Sequence, residues 1–149
     1  MMKALNRLLL IALGLFFFTT GSMKLLDPAA FAEAILGYRI IDGFWAMLFA
    51  LWIPWAECLL AVALAWRSWR EQALIVLLGL MIGFQGALAS AYLRGLDISC
   101  GCFGADVSSS VGFALVRNCA LMALIAYVFR AERRERTIAG EEESTGPQP

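Results

Sequence analysis

Four apolar stretches, each about as long as a bilayer is thick, constrain this chain more than any other feature. They cover about residues 5–23, 44–66, 73–93 and 111–129. A membrane-spanning helix needs roughly 20 mostly apolar residues. The composition agrees, because 61% of the residues are hydrophobic and 16% are charged, whereas soluble domains average about 45–50% and about 25%. We therefore predict an all-α, four-helix bundle embedded in a lipid bilayer and formed by residues 1–136.

A short helix between two spans and a polar tail complete the predicted layout. Asp27-Pro28 is typical of a helix start, with aspartate as N-cap and proline in the first turn. Phe31, Ile35 and Tyr38 follow at helical spacing, so a short interfacial helix should lie on the outer membrane surface between the first two spans. Residues 137–149 are polar and acidic and contain glycine and proline, which predicts a disordered cytoplasmic tail.

The first apolar stretch has a second interpretation. Lys3 and Arg7 precede the apolar run Leu8–Phe18, which is also typical of a signal peptide. No Ala-x-Ala cleavage site follows the run, so we favour a retained membrane helix.

Basic residues predict the orientation, because cytoplasmic flanks are enriched in lysine and arginine. If the N-terminus is cytoplasmic, eight basic residues lie on that side and three on the other. Both termini should then face the cytoplasm of a bacterial inner membrane, with loops 24–43 and 94–110 in the periplasm. The net charge is zero, so the composition does not suggest nucleic-acid binding.

The loop before the last span contains Cys100-Gly101-Cys102. Two cysteines this close form a disulfide only in a small, strained ring, and strained disulfides tend to be labile or catalytic. Gly101 and Gly104 would allow the sharp turn. We predict a reversible redox pair, with a structural disulfide as the alternative. We expect no metal site, because two thiolates do not complete one and the chain has no histidine.

Polar residues within the spans form a second group of candidates. Glu57 lies in the second span, and Arg117-Asn118 lie in the fourth. A charge in a span normally faces the bundle interior and has a partner. We expect an ion pair between Glu57 and Arg117, with Asn118 adding hydrogen bonds. Such a cluster could be a structural clamp or a site for protons or quinol.

Four further residues carry weaker expectations. Lys24 and Arg94 lie at outer span ends, where they could stabilise a loop thiolate, although extension of their charged ends to the interface is the favoured interpretation. Cys58 and Cys119 lie within spans and are expected to behave as small buried apolar residues. A relay of electrons from them to the loop pair is the alternative.

Several motifs together resemble DoxX-like membrane proteins and, within that group, the MauE family of methylamine utilisation. The motifs are Gly21-Ser22-Met23-Lys24-Leu25, Asp27-Pro28, Phe31, Pro54-Trp55-Ala56-Glu57, Arg94-Gly95-Leu96-Asp97, Cys100-Gly101-Cys102-Phe103-Gly104 and Arg117-Asn118. The resemblance covers about residues 5–130, and the cysteine loop is its most specific part. It implies thiol redox chemistry outside the cytoplasm, in maturation of the disulfide-rich small subunit of methylamine dehydrogenase with a thioredoxin-like partner.

Three functional hypotheses follow. The preferred one is a membrane thiol–disulfide exchange component that acts with a periplasmic thioredoxin-like protein. The second is a non-enzymatic assembly factor whose loop disulfide is structural. The third is a DoxX-type oxidoreductase subunit acting on a sulfur compound and quinone. No cofactor is evident from the sequence, and a membrane quinone stays open as the final electron partner.

Overall fold

The computed structural model describes residues 2–96 and 111–144, and the side chains of residues 4–96 and 112–138. These residues form helices and turns and contain no strand, which confirms the predicted all-α fold. The helices are α1 (Met2–Leu26), α2 (Pro28–Gly37), α3 (Gly43–Ala63), α4 (Arg70–Leu93) and α5 (Val111–Ser144). All except α2 contain a stretch long and apolar enough to cross a membrane.

The distribution of polar and apolar side chains is that of a membrane protein. Large apolar side chains such as Trp52, Leu93 and Val116 are more than 60% exposed on the outer surface. Among the side chains that the structure describes, six polar or charged ones are buried instead: Asn6, Thr20, Lys24, Glu57, Asn118 and Glu132. The outer surface therefore suits hydrocarbon rather than water, and the chain is a multi-pass membrane protein.

The four long helices form a ring in which α1 packs on α3 and α4 packs on α5, with sparser contacts between the two pairs. One end of the bundle holds the start of α1 and the start of α4, and we call it the terminal end. The opposite end, which holds α2, is called the loop end. The main apolar core lies toward the terminal end and includes Leu13, Phe17, Leu74 and Ile125.

Two helix boundaries differ from the sequence prediction. The second span ends at Ala63 rather than near residue 66, and the guanidinium Nε of Arg70 donates to the Leu64 carbonyl at 3.0 Å across the turn that follows. Helix α5 continues to Ser144, past residue 136, where we expected the disordered tail to begin. Just past the predicted span end at residue 129, buried Glu132 anchors α5 by binding Asn6 of α1 and Arg70 of α4. Residues 145–149 lie outside the described residues.

The short helix between the first two spans is present as α2. The Asp27 carboxylate accepts a hydrogen bond from the Ala30 backbone N–H at 2.9 Å, and Pro28 occupies the first turn, as predicted. Phe31 and Ala32 are buried against Ala50 of α3, so α2 packs on the bundle through its apolar side.

Candidate functional site

A buried ion pair joins α1 to α3. The ammonium Nζ of Lys24 lies 2.7 Å and 2.8 Å from the two carboxylate oxygens of Glu57. Both side chains are 7% exposed. Bidentate contact at this distance compensates each charge with the other, which is the condition under which charged groups persist within a span.

Close packing between α1 and α3 sets the register of this pair. A Cβ atom added at Gly21 would lie 2.8 Å from the Cys58 sulfur and 3.0 Å from the Pro54 carbonyl oxygen. Contact this close requires glycine, and it brings Lys24, one turn further along α1, opposite Glu57. The two helices therefore meet through backbone at the level of the ion pair.

Both Glu57 oxygens bind Lys24, a partner that the sequence analysis did not assign to this residue. Glu57 lies about 21 Å from the start of α3, at about 1.5 Å per residue, whereas Lys24 is only two residues from the end of α1. At the loop end of the bundle, the start of α3 therefore extends well past the end of α1.

The side chain of Lys24 also differs from expectation. Its ammonium does not extend to the membrane interface, because it is buried and lies 5.0 Å from the centre of the Phe31 ring on α2. A cation over an aromatic face is attracted by the negative charge of that face. Helix α2 therefore closes the site on the side away from Glu57.

A cavity of about 620 Å³ lies between the helix pairs and reaches this ion pair. Lys24 and Glu57 line it together with Thr20 and the predicted residues Arg117 and Asn118. Most of the remaining lining is apolar, with aromatic residues from all elements except α5. The structure thus places four of the predicted site residues around one space: Lys24, Glu57, Arg117 and Asn118.

Asn118 lines this cavity and has a buried amide nitrogen that makes no hydrogen bond within the described residues. The residue is 1% exposed, and its Nδ2 has no hydrogen-bond partner among residues 2–96 and 111–144. A buried donor without a partner is unfavourable by about 1–3 kcal/mol. The Nδ2 atom itself has almost no accessible surface, so it faces packed protein rather than the open space of the cavity.

The amino-acid sequence is similar to those of known proteins. The family model for methylamine utilisation protein MauE matches residues 2–131. The chain belongs to the MauE family. It is 32% identical over 116 residues to the methylamine utilization protein MauE of Paracoccus denitrificans, covering 76% of this chain and 62% of that protein. It is 34% identical over 108 residues to the MauE protein of Methylophilus methylotrophus, covering 70% and 57%.

This MauE-family chain spans about three-fifths of the length of those curated relatives. Among solved structures, no significant match was found.

Arg94 has a defined role at the loop end of the MauE fold. Its guanidinium nitrogens Nη1 and Nη2 donate to the backbone carbonyls of Tyr38 and Arg39 at 3.2 Å and 3.4 Å. Arg39 has a positive φ of 51°, so the turn after α2 is tight. Arg94 thereby ties the end of α4 to the segment that leads into α3.

The two cysteines within helices are free thiols. Cys58 is partly buried, and its sulfur lies 3.9 Å from the Ser22 hydroxyl beside Gly21. Cys119 is exposed on the outer surface, so the expectation that it is buried is wrong. Its sulfur accepts a hydrogen bond from the Gln85 amide at 3.3 Å, which orients it along the α4–α5 contact.

The predicted redox pair, Cys100 and Cys102, lies outside the described residues, as do Gly101 and Gly104. The described residues that flank this loop are Leu96 after α4 and Val111 at the start of α5. The assignment of these four residues stays a prediction.

The sequence prediction missed several cavity residues. Phe31 was assigned only to the apolar face of a short helix, and Thr20 was not weighed as a site residue. Gly79 and Gly83 also line the cavity, and a Cβ atom added at either would meet nothing within 4 Å. Their spacing of four residues places them on one face of α4, and that spacing was the available signal.

Proposed function

We propose that this MauE-family protein is a membrane-embedded thiol–disulfide exchange component that acts with a periplasmic thioredoxin-like protein. The observation that carries the proposal is Cys100-Gly101-Cys102, placed by the sequence between α4 and α5 of a MauE-family membrane protein. A disulfide across one intervening residue is strained, and strain favours exchange over permanence.

The distribution of basic residues supports an orientation that suits this chemistry. Lys3, Arg7, Arg67 and Arg70 belong to the terminal end, together with the arginines after Phe129. The excess of basic residues at this end favours its placement in the cytoplasm. The loop end, and with it the cysteine loop, then faces the periplasm, where disulfides persist.

The proposed step is a balanced exchange. The thiolate of one loop cysteine attacks the disulfide of the partner, and a mixed disulfide forms while one partner sulfur leaves as a thiolate. The second loop cysteine then attacks the mixed disulfide, closes Cys100–Cys102 and releases the reduced partner. Two electrons pass to the partner, and the loop dithiol loses two protons. The reverse sequence oxidises the partner.

The biological setting is proposed from the relatives. Both curated relatives are named as methylamine utilization proteins. We place this chain in the same process, in which the disulfide-rich small subunit of methylamine dehydrogenase would be the protein finally matured.

Redox titration of the loop pair tests exchange against a structural disulfide. The chain should first carry Cys58→Ser and Cys119→Ser, so that only Cys100 and Cys102 can titrate. We expect a reduction potential above about −300 mV, because structural disulfides typically lie below that value. A lower potential would favour the assembly-factor hypothesis and contradict exchange.

Trapping of the intermediate provides a second test. In the same background, Cys100→Ser or Cys102→Ser leaves one thiol that cannot resolve a mixed disulfide. One of these variants should accumulate a covalent adduct with a thioredoxin-like protein, visible on non-reducing gels and identified by mass spectrometry. The control carries both substitutions and should form no adduct. Normal maturation of methylamine dehydrogenase in cells carrying that control would refute the exchange hypothesis.

A further inference from the structure

We propose that a groove between α1 and α3 binds one anionic phospholipid, with the lipid phosphate held by Arg7 and Arg70. The groove begins at the terminal end of the bundle, and among the described residues it shares no lining residue with the cavity around Lys24 and Glu57. This inference goes beyond the proposed function. It concerns a lipid site and does not depend on the thiol chemistry or on the side of the membrane that the terminal end faces.

The α1–α3 groove is apolar over most of its length. Its volume is about 580 Å³. On α1 its lining residues recur every three or four positions from Arg7 to Phe18, which is the spacing of one helix face. The opposite wall consists of Ala61 and Val62 of α3 and of Leu64 and Ala65 in the turn that follows. A narrow apolar space between two helices suits a hydrocarbon chain.

The length of the α1–α3 groove corresponds to one leaflet of a bilayer. Arg7 and Phe18 lie in the same helix, and the distance between them along its axis is about 16 Å at about 1.5 Å per residue. The hydrocarbon core of a bilayer is about 30 Å thick. Ile11, Leu15 and Phe18 are between 48% and 64% exposed, so the groove is open to lipid along its side. An acyl chain of a single leaflet can therefore lie along it.

The polar end of the α1–α3 groove lies at the level of lipid head groups. Trp66 and Trp69, in the turn between α3 and α4, are 61% and 66% exposed. Exposed tryptophans of membrane proteins are enriched at the membrane–water interface. Arg7 and Arg70 line the groove at this same end of the bundle.

Two guanidinium groups make this polar end positive. Arg7 is exposed and forms no hydrogen bond or ion pair with the residues that the structure describes. Arg70 is held in place, since its Nε donates to the Leu64 carbonyl and its Nη1 contacts Glu132. The described lining of the groove contains no acidic side chain. Guanidinium groups bind phosphate oxygens through paired hydrogen bonds, so a phosphate would compensate the charge of Arg7.

A phospholipid joins the two features that the α1–α3 groove offers. Its phosphate lies at the interface and its acyl chains extend into one leaflet, whereas a free phosphate would leave the apolar part empty. Phosphatidylethanolamine also carries an ammonium group, for which the described lining provides no carboxylate. Phosphatidylglycerol has the phosphate without that cation. We therefore expect an anionic lipid to be preferred, as in other basic pockets between membrane helices.

Native mass spectrometry of the purified full chain in detergent micelles tests this preference. Dioleoyl-phosphatidylglycerol is the probe, and we expect saturable binding of one molecule. Dioleoyl-phosphatidylethanolamine, which has the same acyl chains, should bind more weakly. Glycerophosphoglycerol, the same head group without acyl chains, should not compete. Equal binding of the two lipids would overturn the inference, and so would competition by the head group alone, which would indicate a phosphate site instead.

A pair of charge variants tests the head-group contact. Arg7→Gln should weaken binding of dioleoyl-phosphatidylglycerol about fivefold, the usual effect of one basic residue near a membrane surface. Arg134→Gln removes another exposed cation that does not line the groove, and binding should not change. Equal losses in the two variants would overturn the inference in favour of a general attraction between basic residues and anionic lipid.

A pair of size variants tests the acyl-chain contact. Ala65→Phe places a ring in the α1–α3 groove and should weaken binding of the same lipid severalfold. Ala120→Phe adds the same ring at an exposed position of α5 that lines neither the groove nor the cavity, and it should bind as the unaltered chain does. Val62→Trp serves as a second groove variant if Ala65→Phe does not fold. Undiminished binding in the folded groove variant would show that the acyl chains lie elsewhere and would overturn the inference.

Discussion

Lys24 and Glu57 are the residues on which the interior of this protein most depends. Each is charged, each is 7% exposed, and each lies in a helix that crosses the membrane. The attraction between them offsets the loss of water around both groups only while both are present. Removing one charge leaves the other in an apolar surrounding with no counter-charge at 2.7 Å.

We predict that breaking this pair strongly destabilises the fold. Lys24→Met or Glu57→Leu should each lower the free energy of unfolding by about 3–5 kcal/mol, because an uncompensated buried charge remains. The double variant should lose much less than the sum of the two, since it buries no charge. Reversible unfolding in mixed detergent micelles measures all three.

The exposed pair between Arg133 and Glu71 is the matched control. Its atoms lie at the same 2.7 Å, but the arginine side chain is 64% exposed. Glu71→Gln should change stability by less than about 1 kcal/mol. Additive effects of Lys24→Met and Glu57→Leu would show that the pair is not energetically coupled.

At the scale of elements, the contact between α1 and α3 depends on one missing side chain. Gly21 allows α1 to approach Pro54 and Cys58 at distances that no Cβ atom could occupy. Pro54 has no backbone N–H, so the Ala50 carbonyl in α3 lacks its usual helical donor. Helix register and the ion pair are therefore coupled.

We predict that Gly21→Ala forces the two helices apart. The backbone oxygen of Pro54 cannot move aside as a flexible side chain would, so the substitution should lower the free energy of unfolding by about 1–3 kcal/mol, as overpacking commonly does. Thermal unfolding followed by circular dichroism measures the effect.

Gly86→Ala is the control for this substitution, because its added Cβ meets nothing within 4 Å. It should be neutral or slightly stabilising, since alanine favours helix more than glycine does. A loss in Gly86→Ala as large as that in Gly21→Ala would indicate a general intolerance of helix substitution rather than a specific contact.

The segment between α2 and α3 should open when Arg94 is shortened. Arg94→Met removes both hydrogen bonds to the Tyr38 and Arg39 carbonyls while it keeps much of the apolar stem. We expect faster amide hydrogen exchange in residues 38–42, measured by mass spectrometry, because local opening loses two restraints. Exchange in the Arg70–Leu78 part of α4 should stay unchanged. Unaltered exchange at 38–42 would show that the turn is held by other contacts.

Local sequence patterns predicted the positions of the helices better than the contacts between them. The Asp27 cap and the four spans follow from residues close together in the chain, and the structure confirms them. The partner of Glu57 did not follow, because it depends on the stagger between α1 and α3. The contacts that anchor α5 at Glu132 were missed for a similar reason, since its partners lie 62 and 126 positions away in the chain.

For the whole molecule, the ring of helices encloses a cavity because its two tight pairs meet only sparsely. Sequence analysis predicted which polar residues face inward, namely Glu57, Arg117 and Asn118, from the cost of exposing them to lipid. It could not predict the volume, which is set by aromatic side chains and by the two small residues Gly79 and Gly83 on α4.

We predict that the loop end faces the periplasm. In a chain carrying Cys58→Ser and Cys119→Ser, a membrane-impermeant maleimide should label reduced Cys100 and Cys102 in intact spheroplasts. The basic residues of the terminal end favour this orientation.

The control for topology replaces all four cysteines with serine and adds Thr137→Cys, which lies on the exposed part of α5. This thiol should react only after the membrane is ruptured. The opposite pattern, with Thr137→Cys labelled in intact spheroplasts and the loop pair protected, would invert the proposed orientation.

The ion pair also has a consequence for how the protein is made. Inserted singly, a charged residue in a span is unfavourable by about 2.5–3.5 kcal/mol on biological insertion scales. Lys24 leaves the ribosome 33 residues before Glu57. Helix α1 is therefore synthesised before the carboxylate that compensates the charge of Lys24. We therefore expect α1 to enter the bilayer fully only when α3 arrives, so that the first and second spans are inserted as one unit.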